Sequence, residues 1–355
     1  MSKEKQQLLI VDDNDSNIDT LIAVLGDEYD LRVALDGATA LKLLEQHEMP
    51  DLILLDVMMP GMDGYEVCQR LKSTNRTRGI RVIFLTALAN DADQEKGLNL
   101  GAEDYITKPF SPAIVRARVR TQLKLKKYRD HLEDLVADKT EQLLHAQEAI
   151  IASMAIMAEH RDPETGAHIQ RTKAYVKVLA QAMTPQMPDI LTPQTIEMLY
   201  HAAPLHDIGK VAIHDDILHK PGRLTEQEFA IIEQHTTMGA DIIHKTETIV
   251  GNIPLLLMAG EIAEFHHEKW DGSGYPHGCS GNDIPLSARL MTMADIYDAL
   301  ITERPYKRAF SHNEAVKIIV EGDDRTRPEH FDPRVLSCFE RIHEQFNAIA
   351  KQFID

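Results

Sequence analysis

The sequence predicts a multidomain chain: an α/β domain with a doubly wound, five-stranded parallel sheet, joined by one long helix to an all-α helical bundle. Three observations carry this. Over roughly the first 110 residues, short apolar strands alternate with amphipathic helices. The stretch 113–158 then contains neither proline nor glycine. Beyond it, apolar residues recur at helical spacing. At 355 residues the chain is long enough to bury two cores, and the expected divisions are 1–122, 123–150 and 151–355.

Within the first part, strands are predicted over 8–11, 31–34, 52–55, 82–85 and 104–106, with helices over 18–25, 38–46, 65–71 and 91–100. In such sheets ligands gather at the carboxyl ends of the strands, where this sequence places Asp12, Asp13, Asp56, Thr86 and Lys108. The acidic residues suit a hard cation such as Mg²⁺, which would screen a phosphoryl group arriving at Asp56. Thr86 and Lys108 could then hold its oxygens. Acidic strand ends are often no more than solvated caps, but here five residues at four strand ends agree.

On these residues, positions 6–122 resemble a response-regulator receiver domain. The resemblance implies a phosphoacceptor at Asp56, a Mg²⁺-binding pair at Asp12 and Asp13, a switch hydroxyl at Thr86, an aromatic switch at Tyr105 and a conserved-role lysine at Lys108. It also implies a cognate sensor histidine kinase, and in this family the bond corresponding to Lys108-Pro109 is often cis.

The breaker-free stretch is rich in good helix formers, so it reads as one helix of over forty residues. Val136, Leu143, Ile150 and Met157 recur every seven residues, with Leu132 and Ala146 on the neighbouring seam and Lys139 and Ser153 as interruptions. This spacing predicts a parallel two-chain coil, and hence a homodimer. The alternative is a helix packed on its own domains.

In the second part, amphipathic runs lie over 176–183, 195–203, 226–235 and 255–266. His206-Asp207 offers an imidazole and a carboxylate whose two oxygens can bridge two ions, with Lys210 nearby to meet a phosphate oxygen. Glu164 and His168, four apart, share one helix face. His235 closes one run, His266-His267 closes another, and Asp295 sits on the helix that follows Pro285. These eight donors exceed what one ion can use, so two or three divalent ions are expected. Nitrogen and carboxylate donors without thiolate suit Fe or Mn, with Zn, Co and Ni as alternatives. His201, His214, His219 and His244 read as helix-terminal or core residues.

His206-Asp207 with Lys210, then His266-His267-Glu268, then Asp271-Gly272-Ser273-Gly274-Tyr275-Pro276, resemble the HD-GYP phosphohydrolases over about residues 150–350. The resemblance implies hydrolysis of cyclic di-GMP to linear pGpG, GMP or both. It carries over the eight ligands, with Glu164 marking a third metal, and assigns Asp207 and Lys210 to catalysis. Arg304 and Lys307 match cations that contact substrate phosphates, while Gly274 and Tyr275 belong to the turn that approaches the site. The segment 276–280 departs slightly from the family pattern. Two other readings stand beside this one: a nucleotide-sensing or docking module with little turnover, and a generic HD nucleotidase.

The formal charge of -18 argues against direct DNA binding or attachment to anionic membranes. No apolar run reaches the length of a membrane span, so no membrane insertion is expected. Cys68, Cys279 and Cys338 are odd in number and form no CxxC pair, which argues against a disulfide framework and fits a reducing cytoplasm.

Overall fold

A computed structural model describes residues 5–87, 91–159, 166–220, 222–303 and 308–353. The chain divides into two compact units, Met1–Glu141 and Gln142–Asp355.

In the first unit, strands β1 (Gln7–Val11), β2 (Asp30–Ala34), β3 (Leu52–Asp56), β4 (Arg81–Thr86) and β5 (Asp104–Thr107) alternate with helices α1 (Asp15–Leu25), α2 (Gly37–Gln46), α3 (Gly64–Ser73) and α4 (Asp91–Asn99). The strands are all parallel, in the order β2-β1-β3-β4-β5. Their near-continuous apolar sequences, LLIV and LILL among them, follow from burial on both faces of the sheet. Leu9, Ile53 and Phe84 pack with Ala40, Leu44, Val67 and Leu71 on one face, while Leu8, Ile10 and Ile83 pack with Ile18, Leu21 and Leu25 on the other. Asn14, Asp36 and Asp63 cap α1, α2 and α3 by accepting from backbone amides of the first turn. The order reverses between β1 and β3, and the crevice at that switch point is where Asp12 and Asp56 emerge.

Helix α5 (Pro112–Glu159) is continuous over 48 residues. Val115, Val119 and Leu123, four apart, complete the first unit's core, and Arg118 pairs with Asp104. Lys126 Nζ lies 3.0 Å from Asp51, and Arg129 donates to the Gly79 carbonyl at 3.2 Å. These ties carry the first unit past residue 122, so the boundary between units falls within the predicted connector 123–150 instead of at its ends. Leu132, Val136, Leu143, Ile150 and Met157 are each at least 60% exposed. Within the chain, the seven-residue seam is uncovered.

The second unit contains α6 (Gly166–Met183), α7 (Pro193–Ala202), α8 (Asp215–Leu218), α9 (Glu226–Glu233), α10 (His235–Val250), α11 (Pro254–Phe265), α12 (Leu286–Ile301), α13 (His312–Glu321) and α14 (Pro333–Gln352). Its core centres on four fully buried aromatics. Tyr175 stacks on Phe346 with centroids 4.5 Å apart, and Tyr297 meets both edge-on at 5.3 and 5.1 Å, with Phe339 beside them. One expectation needs correction. The run 226–235 is two helices that meet at Gln234, so His235 opens α10 and does not close the preceding helix. A Thr225 capping box starts α9, and Thr236 bonds back to the Glu233 carbonyl across the joint.

Candidate metal centre

At the carboxyl edge of the sheet, Lys108 Nζ lies 2.9 Å from both Asp12 and Asp56. Asp12, Asp56 and Thr86 are buried and Asp13 is exposed, and the three carboxylates are close enough to share one cation. Burial pushes Asp56 above the usual carboxylate range, and the Asp12 carboxylate adds to this against the pull of Lys108. Lys108 gains from the same contacts, which outweigh burial and raise its pKa. The Lys108-Pro109 peptide is cis. Tyr105, on β5, lies half-buried under the Arg118 guanidinium.

In the second unit, two short 3₁₀ turns flank His206-Asp207, and both side chains are buried. Asp207 Oδ1 lies 3.2 Å from His235 Nε2 and 3.7 Å from His266 Nε2. Its other oxygen lies 3.2 Å from His206 Nε2 and 2.8 Å from Lys210 Nζ. The carboxylate therefore faces two different groups of imidazoles. Donor atoms of Asp207, His235, His266 and His267 fall within 4.8 Å of one another, as do those of His168, His206 and Asp295.

The imidazoles are aimed from outside. His206 Nδ1 is 3.0 Å from the Ala203 carbonyl, His235 Nδ1 is 2.7 Å from that of Ile232, and His266 Nδ1 is 3.0 Å from that of Ile262. His168 Nδ1 lies 2.8 Å from Asp298. A proton on each Nδ1 leaves the Nε2 lone pair turned into the pocket, which is how ligand imidazoles are held. Asp207 Oδ1, His235 Nε2 and His266 Nε2 are buried without an aligned hydrogen-bond partner, although they lie close together. Burial, reinforced by neighbouring imidazoles, holds His266 and His267 well below the usual histidine range and hence neutral. Burial opposes charge on Asp207 too, but Lys210 and His206 keep it well below the usual carboxylate range. Imidazoles whose Nε2 atoms converge on a buried carboxylate, with His266 and His267 held neutral and orphaned polar atoms among them, fit divalent cations.

Residues 8–120 match the response regulator receiver domain family and residues 130–335 the HD domain family. The chain belongs to the response regulators with an HD-domain output. Over 358 residues the response regulator is 46% identical to a Vibrio cholerae protein named "Probable cyclic di-GMP phosphodiesterase", covering 98% of this chain and 80% of that protein. A second V. cholerae protein, "Cyclic di-GMP phosphodiesterase", is 50% identical over 63% of this chain, which spans 45% of that relative's length. The Xanthomonas campestris "Cyclic di-GMP phosphodiesterase response regulator RpfG" is 33% identical, over 85% of this chain and 78% of its own length. The HD domain is a metal-dependent hydrolase, so this response regulator is an enzyme that uses divalent metal.

Seven of the eight predicted donors in the response regulator's HD domain come together, while Glu164, Arg304 and Lys307 lie outside the described residues. Two glycines make the packing possible. A Cβ on Gly209 would stand 1.9 Å from the His235 carbonyl oxygen, so only glycine lets the His206-Asp207 turn settle against the start of α10. At Gly274 a Cβ would stand 2.4 Å from the Lys269 nitrogen, and this close approach lays the Tyr275 ring on His267, with centroids 4.8 Å apart. Buried Glu268 accepts from the His277 and Gly278 amides at 2.7 and 3.1 Å, fastening the loop after the signature turn.

The sequence reading missed Asp298 and Arg171. Arg171 donates to Asp298 at 2.7 and 3.0 Å, and Asp298 in turn holds His168. A signal existed. Asp298 follows Asp295 by three residues and Arg171 follows His168 by three, which places each on the same helix face as a donor.

Gly209→Ala is expected to destabilise the second unit by about 1–3 kcal/mol, the usual cost of overpacking, and to lower the bound metal. Melting curves and elemental analysis of the chelated and reloaded protein check this. Unchanged melting and unchanged metal content would show that the turn and α10 can separate freely.

Proposed function

We propose that this response regulator hydrolyses cyclic di-GMP to linear pGpG, GMP or both at a centre of two or three divalent ions, under control of phosphorylation at Asp56. The observation that carries the reading is the orientation of His168, His206, His235 and His266, whose Nδ1 atoms are occupied from outside and whose Nε2 atoms face Asp207 or Asp295. The named activity of the relatives supports the substrate.

Asp207 would bridge the ions, one oxygen toward His235, His266 and His267 and the other toward His206. His168 and Asp295 complete the second group, and Glu164 would add a third ion. Fe or Mn best suits the donors, with Zn, Co and Ni as alternatives. Ions so held supply Lewis acidity that activates water and offsets charge on the phosphate oxygens. Lys210, at the edge of the pocket, adds positive charge beside the reacting phosphate, with Arg304 and Lys307 as further substrate contacts. Tyr275 covers His267 and narrows the approach to the pocket.

In the receiver, Asp12 and Asp13 would hold Mg²⁺ while a cognate histidine kinase supplies the phosphoryl group to Asp56. A phosphoryl group there meets Lys108 directly and would recruit Thr86 and Tyr105. The exposed seam of α5 fits a second copy of the chain as a parallel coil, giving a homodimer.

Asp207→Ala and chelation are each expected to abolish turnover of cyclic di-GMP, measured by product separation. Undiminished hydrolysis in a metal-free Asp207→Ala protein would sink the mechanism. Glu164→Ala should hold one metal ion per chain fewer with its helicity intact, and an unchanged count in elemental analysis returns the centre to two ions. Beryllofluoride should change the initial rate several-fold in the wild type but not in Asp56→Asn, in keeping with allosteric couplings of about 1–3 kcal/mol. Equal rates, with modification of Asp56 confirmed, would confine the receiver to docking or location.

A further inference from the structure

The second unit contains another set of convergent donors that the catalytic reading does not use. His312 opens α13, and His343 and Glu344 lie on α14. His312 Nε2 is 3.0 Å from His343 Nδ1 and 3.8 Å from Glu344 Oε1, and His343 Nδ1 is 3.9 Å from that same oxygen. A point equidistant from these three atoms lies about 2.1 Å from each, which is the bond length zinc makes to imidazole nitrogen and carboxylate oxygen. Three side chains from two helices thus already stand at ligand spacing.

The orientation is fixed from behind. Tyr297 Oη, at the tip of the buried aromatic cluster, lies 2.8 Å from His312 Nδ1. With the Nδ1 proton donated to the phenol, the lone pair of His312 falls on Nε2, the atom that stands 3.0 Å from His343 Nδ1. The other two ligands are reachable from solvent, since the His343 side chain is 30% exposed and that of Glu344 72%.

We propose that His312, His343 and Glu344 bind a divalent transition metal of the zinc class, at a site separate from the Asp207 centre. Two imidazoles and a carboxylate select such an ion over Mg²⁺ or Ca²⁺, which take all-oxygen sets. Three protein ligands leave room for water. The ion would pin α13 to α14 and, through Tyr297, to α12. On that helix Asp295 lies two residues before Tyr297, about 200° around the axis, and Asp298, which orients His168, follows directly. The site thus braces the far side of the helix that supplies a donor to the catalytic centre. Without an ion, the 3.0 Å contact between the imidazoles is a plain hydrogen bond, and that is the rival reading.

The test counts zinc in full-length protein that has been stripped with a chelator, reloaded with Zn²⁺ and freed of loose metal by gel filtration. Wild type, His343→Ala and Glu344→Lys are compared by elemental analysis, with circular dichroism as the check on folding. Each variant is expected to hold one zinc per chain fewer than the wild type while still hydrolysing cyclic di-GMP, because neither position belongs to the Asp207 centre. Equal zinc counts in wild type and a folded variant would overturn the proposal and leave only the hydrogen bond. Glu344 is an exposed helical position, so Glu344→Lys decides the matter even if His343→Ala fails to fold.

Discussion

The second unit depends on one buried carboxylate. Asp207 is removed from water, yet its environment holds it ionised, because Lys210 stands beside one oxygen and imidazoles surround both. Unpaired, such a charge would be too costly to keep in a core, and a single lysine leaves the Oδ1 side without an aligned partner. Divalent cations held by Asp207 and the histidines would offset this cost, and metal binding would then contribute to the stability of the unit as well as to its chemistry. The geometry follows from backbone contacts. Gly209 admits the start of α10, and helix-end carbonyls turn His206, His235 and His266 inward.

The first unit solves a related problem with the opposite balance. Asp12 and Asp56 are buried side by side at the switch point of the sheet, and one lysine, Lys108, neutralises only part of their charge. Asp56 is left with a raised proton affinity and a need for further positive charge. This arrangement would suit the phosphoacceptor role proposed for Asp56, since a cation could be shared between the carboxylates and the incoming oxygens. In the second unit the described donors outnumber what a single ion could use, which suits more than one ion.

How much of this was legible in the sequence varied with the kind of signal. The five strand ends were readable because alternation of period-two and period-3.6 segments fixes where strands stop, and the parallel fold fixes what gathers there. Five of the seven described donors carried a signal in their spacing, His168 four residues from Glu164, His206 beside Asp207 and His266 beside His267, whereas His235 and Asp295 stand apart from any other donor in the sequence. The break at Gln234 was not readable, since no glycine or proline marks the joint. Asp298 and Arg171 were passed over because a buried carboxylate and guanidinium inside helices look like surface charges until packing brings them together. His312 and His343 are thirty-one residues apart, and only the antiparallel return of the chain through α14 makes them neighbours.

Helix α5 belongs to both units, and this restricts how a signal can pass. Val115, Val119 and Leu123 lie in the core of the first unit, and Ala158 lies in that of the second with Ile151 packed against it, all on one unbroken helix. A helix with no proline or glycine after its first residue has no built-in site for a sharp bend, so a shift at its beginning would appear farther along as rotation, translation or altered pairing of the exposed seam. Glu164 and His168 follow its end within ten residues, and His168 is held by Asp298 and Arg171 in a buried hydrogen-bonded set with little freedom to adapt. A change at the end of α5 would therefore act on the His168 group of donors before it reached the group around His235.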